Sequence, residues 1–101
     1  MNKKVRSMAD IDRLIHEPGR AMIMAILYAV DSADFLYLQR ETGLTKGNLS
    51  THLAKLEEAF YIKIEKSYRR KIPLTMCRLT LKGREAFESY KLHLKNFVKN
   101  T

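Results

Sequence analysis

Gly43 stands between two short apolar-periodic segments, and that arrangement constrains this chain more than any other feature. Phe35 to Thr42 reads as a brief helix with Leu36, Leu38 and Phe35 turned inward. Gly43 suits the left-handed residue that stops a helix. Thr45 follows almost at once as an N-cap, and Leu49, Leu53, Leu56 and Phe60 recur at spacings of 4, 3 and 4. That is the apolar stripe of an amphipathic helix over residues 45–59. Two short helices joined through a tight glycine turn make a helix-turn-helix.

The flanking sequence supplies a scaffold for that pair. Upstream, Asp10 to His16 can close a helical turn with Ile11, Leu14 and Ile15 on one side. Pro18 opens a new helix at the first position, where a missing N–H costs nothing. Met22, Ile23, Ile26, Leu27 and Val30 form its expected inward stripe, and Asp31-Ser32-Ala33-Asp34 reads as a turn. Downstream the period changes from helical to alternating. Tyr61 to Lys66 reads as a strand, Ser67 to Pro73 as a polar loop and Leu74 to Leu79 as a returning strand. The hairpin as a whole spans about residues 61–79. Thr80 then caps a long helix over about 81–99, in which Phe87, Tyr90, Leu94 and Phe97 repeat at 3, 4 and 3 as a coiled-coil-like seam. The predicted fold is mainly α with a small β-hairpin: a winged helix-turn-helix with a long C-terminal dimerisation helix, one domain over residues 1–101.

Charge narrows the partners. Nineteen Lys and Arg against eleven Asp and Glu give a net charge of +8, which calls for a polyanion, an anionic surface or an acidic protein. Part of that charge sits in a basic N-terminus of Lys3, Lys4 and Arg6, but residues 61–71 alone carry +4. The maximum falls at Arg69, Arg70 and Lys71, with Lys66 nearby, where no core requires it. A solvated loop satisfies this pattern, and so does a wing lying along DNA phosphates with an arginine in the minor groove. The preceding helix-turn-helix favours the wing. No apolar run approaches the roughly 18 residues of a membrane span, and a single cysteine excludes an internal disulfide framework. A cytoplasmic setting follows as the expectation.

The helix over residues 45–59 divides its faces cleanly. With Leu49, Leu53 and Leu56 inward, Gly47, Asn48, Thr51 and Lys55 point away, flanked by Lys46 and Ser50. Asn can bond adenine in bidentate fashion, Thr offers a hydroxyl or methyl, and the lysines suit phosphates. The same composition also describes an ordinary exposed helix face. His52 reads chiefly as a half-buried histidine bonded to backbone, with a phosphate contact or pH sensor as the minor alternative. Cys77 alternates with Leu79 and reads as a small core residue. His16, His52 and His93 show no metal-ligand spacing, there is no glycine-rich phosphate loop, and no carboxylate pair converges. Neither catalysis, a metal nor a cofactor is expected.

FLYLQRETGLTKGNLSTHLAKLEEAFYIKIEK, then RRKIP and RLTLKGREAFESY, resembles the small winged-helix transcriptional regulators related to the MarR and ArsR types. The resemblance covers about residues 17–95, most specifically Leu44 to Glu57 and the Leu-Thr-x-x-Gly run from Leu79 to Gly83. It implies a DNA-reading helix carried by Lys46, Asn48, Ser50, Thr51 and Lys55, and a wing carried by Arg69, Arg70 and Lys71. It also implies a homodimer interface of Phe87, Tyr90, Leu94 and Phe97. Phe60 stands where the family usually has Gly, so either the helix ends without a left-handed residue or Phe60 is strained. The paired cysteines of metal-sensing members are absent, and no particular small-molecule effector is implied. The leading expectation is a dimeric, sequence-specific regulator bound to double-stranded DNA. The alternative is a non-enzymatic winged-helix protein-interaction module. Structural RNA binding ranks third, because stacking aromatics beyond Tyr68 are not grouped with the wing arginines.

Overall fold

In the computed structural model, residues 5–99 and 101 are described; Lys3 and Lys4 of the basic N-terminus lie outside them. A 3-10 helix, Arg6–Asp10, leads into α1 (Pro18–Val30), β1 (Ser32–Asp34), α2 (Phe35–Thr42) and α3 (Lys46–Glu58). A hairpin of β2 (Ile62–Arg69) and β3 (Ile72–Leu79) and a last helix, α4 (Leu81–Lys99), complete it. The expected helical turn at Asp10–His16 is a single turn closed by His16 N–H on the Asp12 carbonyl. The Asp12 carboxylate also accepts from the Leu14 and Ile15 N–H groups.

Caps fix where each helix begins. Glu17 accepts from Arg20 N–H ahead of α1, Asp34 from Tyr37 N–H ahead of α2, and Thr45 from Asn48 N–H ahead of α3. Gly43 ends α2 in the left-handed region at φ 71°, and three residues later α3 has begun. Ile23, Met24 and Leu27 of α1, Leu38 of α2 and Leu49, Leu53 and Leu56 of α3 meet in one core with Ile62, Cys77 and Leu79. Four residues assigned inward by periodicity instead face solvent: Met22, Val30, Leu36 and Phe60. In α1 the buried stripe runs through Ile23, Met24 and Leu27, which rotates Met22 and Val30 to its edges.

The segment expected as a turn holds a third strand. Ser32–Asp34 pairs antiparallel with Arg78–Met76, so the sheet order is β1-β3-β2 and β3 lies in the middle. Ala33 pairs with Cys77 and both are buried. Burial, with the nearby Glu57 and Asp34 charges, pushes the Cys77 thiol up to about 11, so it is an inert core group. The polar loop expected at Ser67–Pro73 is also corrected. Pairing continues to Arg69 and Ile72, leaving a two-residue turn of Arg70 and Lys71, both at positive φ, 52° and 68°.

The base of the hairpin is locked to both neighbouring helices. The α3 end has Tyr61 N–H on the Leu56 carbonyl and Phe60 N–H on the Glu57 carbonyl, the two bonds of a Schellman stop. Phe60 occupies its left-handed position at φ 63°, which settles the two alternatives in favour of strain. Thr80 donates its hydroxyl toward the Phe60 and Tyr61 carbonyls and accepts from Gly83 N–H. Gly83 is buried so closely on the Tyr61 carbonyl that a Cβ there would overlap it. The Leu-Thr-x-x-Gly run is therefore the seam between wing and last helix.

A non-glycine left-handed residue costs roughly 1–2 kcal/mol, and the Phe60 ring is 71% exposed with little packing to lose. Phe60→Gly is expected to raise stability by about 1 kcal/mol, a rise in melting temperature of roughly 4–8 °C. A melting temperature at or below wild type would show that the ring, not the backbone, sets the energy at this position.

Candidate nucleic-acid interface

The buried stripe of α3 decides what its other face can do. Because Leu49, Leu53 and Leu56 are sealed in the core, Lys46, Gly47, Asn48, Ser50, Thr51 and Lys55 are all exposed together on one side. The Thr51 hydroxyl donates to the Gly47 carbonyl at 3.0 Å. Its proton is thus committed, and outward it presents lone pairs and a methyl group. The helix N-terminus, with its orphan N–H groups, opens onto the same side as Lys46.

The wing residues Lys66, Arg69, Arg70 and Lys71 are also exposed. Only the base of the hairpin is anchored, through Ile62, Cys77 and Leu79, while every residue from Lys66 to Pro73 is open to solvent. Its eight-residue strands reach about 26 Å. The Glu57 carboxylate accepts from Ile64 N–H at 2.8 Å, tying the end of α3 to the first wing strand. Arg78 is paired with Glu65 at 3.3 Å near the base, leaving the cationic excess at the tip.

One cluster behind α3 escaped the sequence reasoning. Arg20 donates to the Leu14 carbonyl at 2.5 Å and, through Nη1, approaches His52 Nδ1 at 3.1 Å. Since a guanidinium can only donate, His52 Nδ1 accepts, and its Nε2 faces the Glu17 carboxylate at 3.6 Å. The half-buried position of His52 agrees with the sequence, but its partners are side chains rather than backbone. Thirty-two residues separate Arg20 from His52, so no spacing rule could have found the contact. Tyr61 makes a comparable long-range tie by donating its hydroxyl to Asp12 at 2.5 Å. Burial and the Asp12 contact push the Tyr61 hydroxyl up to about 12.

The four aromatic and aliphatic residues of the expected α4 seam do not share one environment. Phe87 and Tyr90 are buried in this chain's own core, Phe87 against Tyr28 with ring centroids 5.2 Å apart. Their placement in a dimer interface is corrected on that ground. Leu94 and Phe97 are half-buried, and Val98, on the same stripe, is exposed.

These elements, order and exposed faces have counterparts. The sequence pattern of the winged helix DNA-binding domain matches residues 20–98. The chain belongs to the winged helix DNA-binding domain family. An uncharacterised protein of Methanocaldococcus jannaschii is 38% identical over 88 residues, covering 87% of this chain and 96% of its own. The structure of a transcriptional regulator homologue from Pyrococcus horikoshii OT3 is similar at a TM-score of 0.88 and 27% identity. It covers 94% of this chain and 96% of that one. NadR in complex with 4-hydroxyphenylacetate shares the fold, with a TM-score of 0.68 at 17% identity over 94% of this chain and 70% of its own. In this winged helix, α3 is the second helix of the helix-turn-helix and the β2–β3 hairpin is the wing. No helix among the described residues is long and apolar enough to cross a membrane.

The Glu17 cluster gives the winged helix an acid-sensitive tie. Burial opposes ionisation of Glu17, but the Arg20 N–H, the His52 ring facing it and the Arg20 guanidinium outweigh it and hold its pKa below the ordinary 4.5. A depressed carboxylate stabilises fully above its unfolded value and loses that contribution as pH falls through the folded one. Glu17→Gln keeps the cap acceptor and removes the charge, so its stability deficit at pH 7 is expected to shrink as pH falls below 4.5 and through the folded pKa. A deficit constant from pH 7 to pH 3 in urea unfolding would mean that the charge contributes nothing.

Proposed function

We propose that this winged helix is a transcriptional regulator that binds double-stranded DNA sequence-specifically as a homodimer. The observation that carries the reading is the placement of two exposed surfaces with different chemistry on one locked frame. The α3 face is small, polar and weakly charged, which suits base edges in the major groove. The wing tip is dense in cations, which suits phosphates. The description of the Pyrococcus structure as a transcriptional regulator homologue supports transcription as the process served.

Roles divide accordingly. Asn48 and Thr51 supply sequence choice, Thr51 as an acceptor or a methyl contact since its proton is held by Gly47. Lys46, Ser50 and Lys55 hold flanking phosphates, Gly47 permits close approach, and Lys66, Arg69, Arg70 and Lys71 supply sequence-independent affinity. Asn48→Ala is expected to lower discrimination between a selected site and random duplex by about 1–3 kcal/mol per half-site. Binding to random duplex should be nearly unchanged. Arg69→Ala with Arg70→Ala is expected to weaken both, and to flatten the log K against log salt slope by about 0.9 per lost phosphate contact. Identical slopes, or an Asn48→Ala protein that keeps its preference, would remove these assignments.

The homodimer rests on the burial gradient along α4. One apolar stripe begins inside the core at Phe87 and Tyr90, continues through half-buried Leu94 and Phe97, and ends at Val98, 63% exposed. A stripe that outruns its own domain is suited to a second copy of itself. Phe97→Ser with Val98→Ser is expected to yield folded monomers in analytical sedimentation. A wild-type monomer at tens of micromolar, or an unaltered dimer in the variant, would sink this interface.

A further inference from the structure

The wing tip carries an apolar group that phosphate binding does not require. Ile72 is 68% exposed, although it stands directly after the two-residue turn and among Arg69, Arg70 and Lys71. It forms the last cross-strand pair of the hairpin with Arg69, so their side chains share one face. Leu74 follows on that face, and with Arg69, Arg70, Ile72 and Pro73 it lines an open cleft of about 310 Å³. The turn itself holds Arg70 and Lys71 in left-handed backbone, where Asn-Gly would be relaxed. Two consecutive left-handed residues and an exposed isoleucine thus stand together at the tip of the hairpin. Strand addition does not explain them. Pro73 pairs with Tyr68, and Leu79, six residues on, directs its N–H to Asp31 on the β1 side. Pro73 therefore faces the unpaired β1-side edge, where it has no N–H to offer.

We infer that Ile72 is a minor-groove contact, packing on the sugar walls and base edges while Arg69, Arg70 and Lys71 hold the flanking phosphates. This rests on the DNA-binding reading of the wing. Charge alone recognises any phosphate backbone, whereas an apolar side chain gains only where a groove encloses it. The wing then reads groove shape as well as charge.

The test compares wild type, Ile72→Ala and Ile72→Leu, full chain, on an A·T-rich duplex over a salt series, with thermal unfolding as the folding control. Ile72→Ala is expected to bind about tenfold more weakly, from the apolar area it no longer buries, with the salt slope unchanged. Ile72→Leu should restore most of the affinity. Filling the minor groove with a bis-benzimidazole dye should erase the difference between wild type and Ile72→Ala. Equal affinities without dye, or a difference that persists with the groove filled, would overturn the contact. So would an Ile72→Ala defect on phosphatidylserine vesicles and none on duplex, which would make the tip a membrane-surface contact. If wild type shows no salt-dependent duplex binding, the DNA-binding reading itself fails and this contact with it.

Discussion

Burial of one face of α3 is the constraint on which the rest of this molecule depends. Leu49, Leu53 and Leu56 are sealed against a core that includes Ile23, Met24 and Leu27 of α1. Each such side chain contributes roughly 1.5–3 kcal/mol when removed from water. Rotating α3 by even a third of a turn would expose one or more of them and drive Asn48 or Thr51 inward, where their polar groups lack partners. The outward face is thus fixed by what its opposite face buries. The Thr45 cap sets where the helix begins, and the Arg20–His52 contact holds its middle to the N-terminal turn.

A second constraint transmits that orientation to the wing. The Schellman stop at Phe60, the Thr80 hydroxyl across the Phe60 and Tyr61 carbonyls, and the close approach of Gly83 join α3, β2 and α4 at one junction. None of these contacts is strong alone; a net hydrogen bond is worth about 1 kcal/mol. They are concentrated within six residues of chain on either side of the hairpin base. A displacement of the wing therefore has to break several at once. Phe60 shows the cost of that geometry, because the left-handed backbone persists at a residue that disfavours it.

Local chemistry was legible in the sequence and long-range pairing was not. Pro18, Thr45, Gly43 and Thr80 mark element ends by their own backbone preferences, so the helix order and the hairpin follow from nearest neighbours. The exposed residues of α3 follow in the same way, from the positions of three leucines. β1 escaped because three residues carry too little period to register, and because its partner, Met76–Arg78, lies more than forty residues away. Leu36 and Met22 were misassigned for a related reason. A short or multiply apolar helix leaves the direction of its buried face undetermined until its neighbours are in place. Phe87 and Tyr90 were apolar at seam spacing, and spacing alone does not say whether the surface they cover belongs to the same chain. The Ser67–Pro73 segment looked like a loop from its polarity, but a ladder needs only paired backbone, and polar side chains are what an exposed hairpin carries.

The parts that project beyond the core share one logic. A 101-residue chain has little apolar area to spend, and this one extends to 59 Å along its long axis with a section of only 25 by 21 Å. Such a shape buries less than a sphere of the same volume and is not what stability alone would favour. The distal hairpin and the end of α4 both carry exposed residues that the core of this chain does not use. The hairpin tip gathers cations that repel one another in left-handed backbone. The helix end carries Phe97 and Val98 on a stripe whose inner half is already occupied. Each feature is unfavourable in isolation, and under the proposed function an anionic groove offsets one and a second apolar helix the other. The core of this winged helix holds those two surfaces at a fixed separation, so that occupying one constrains where the other can lie.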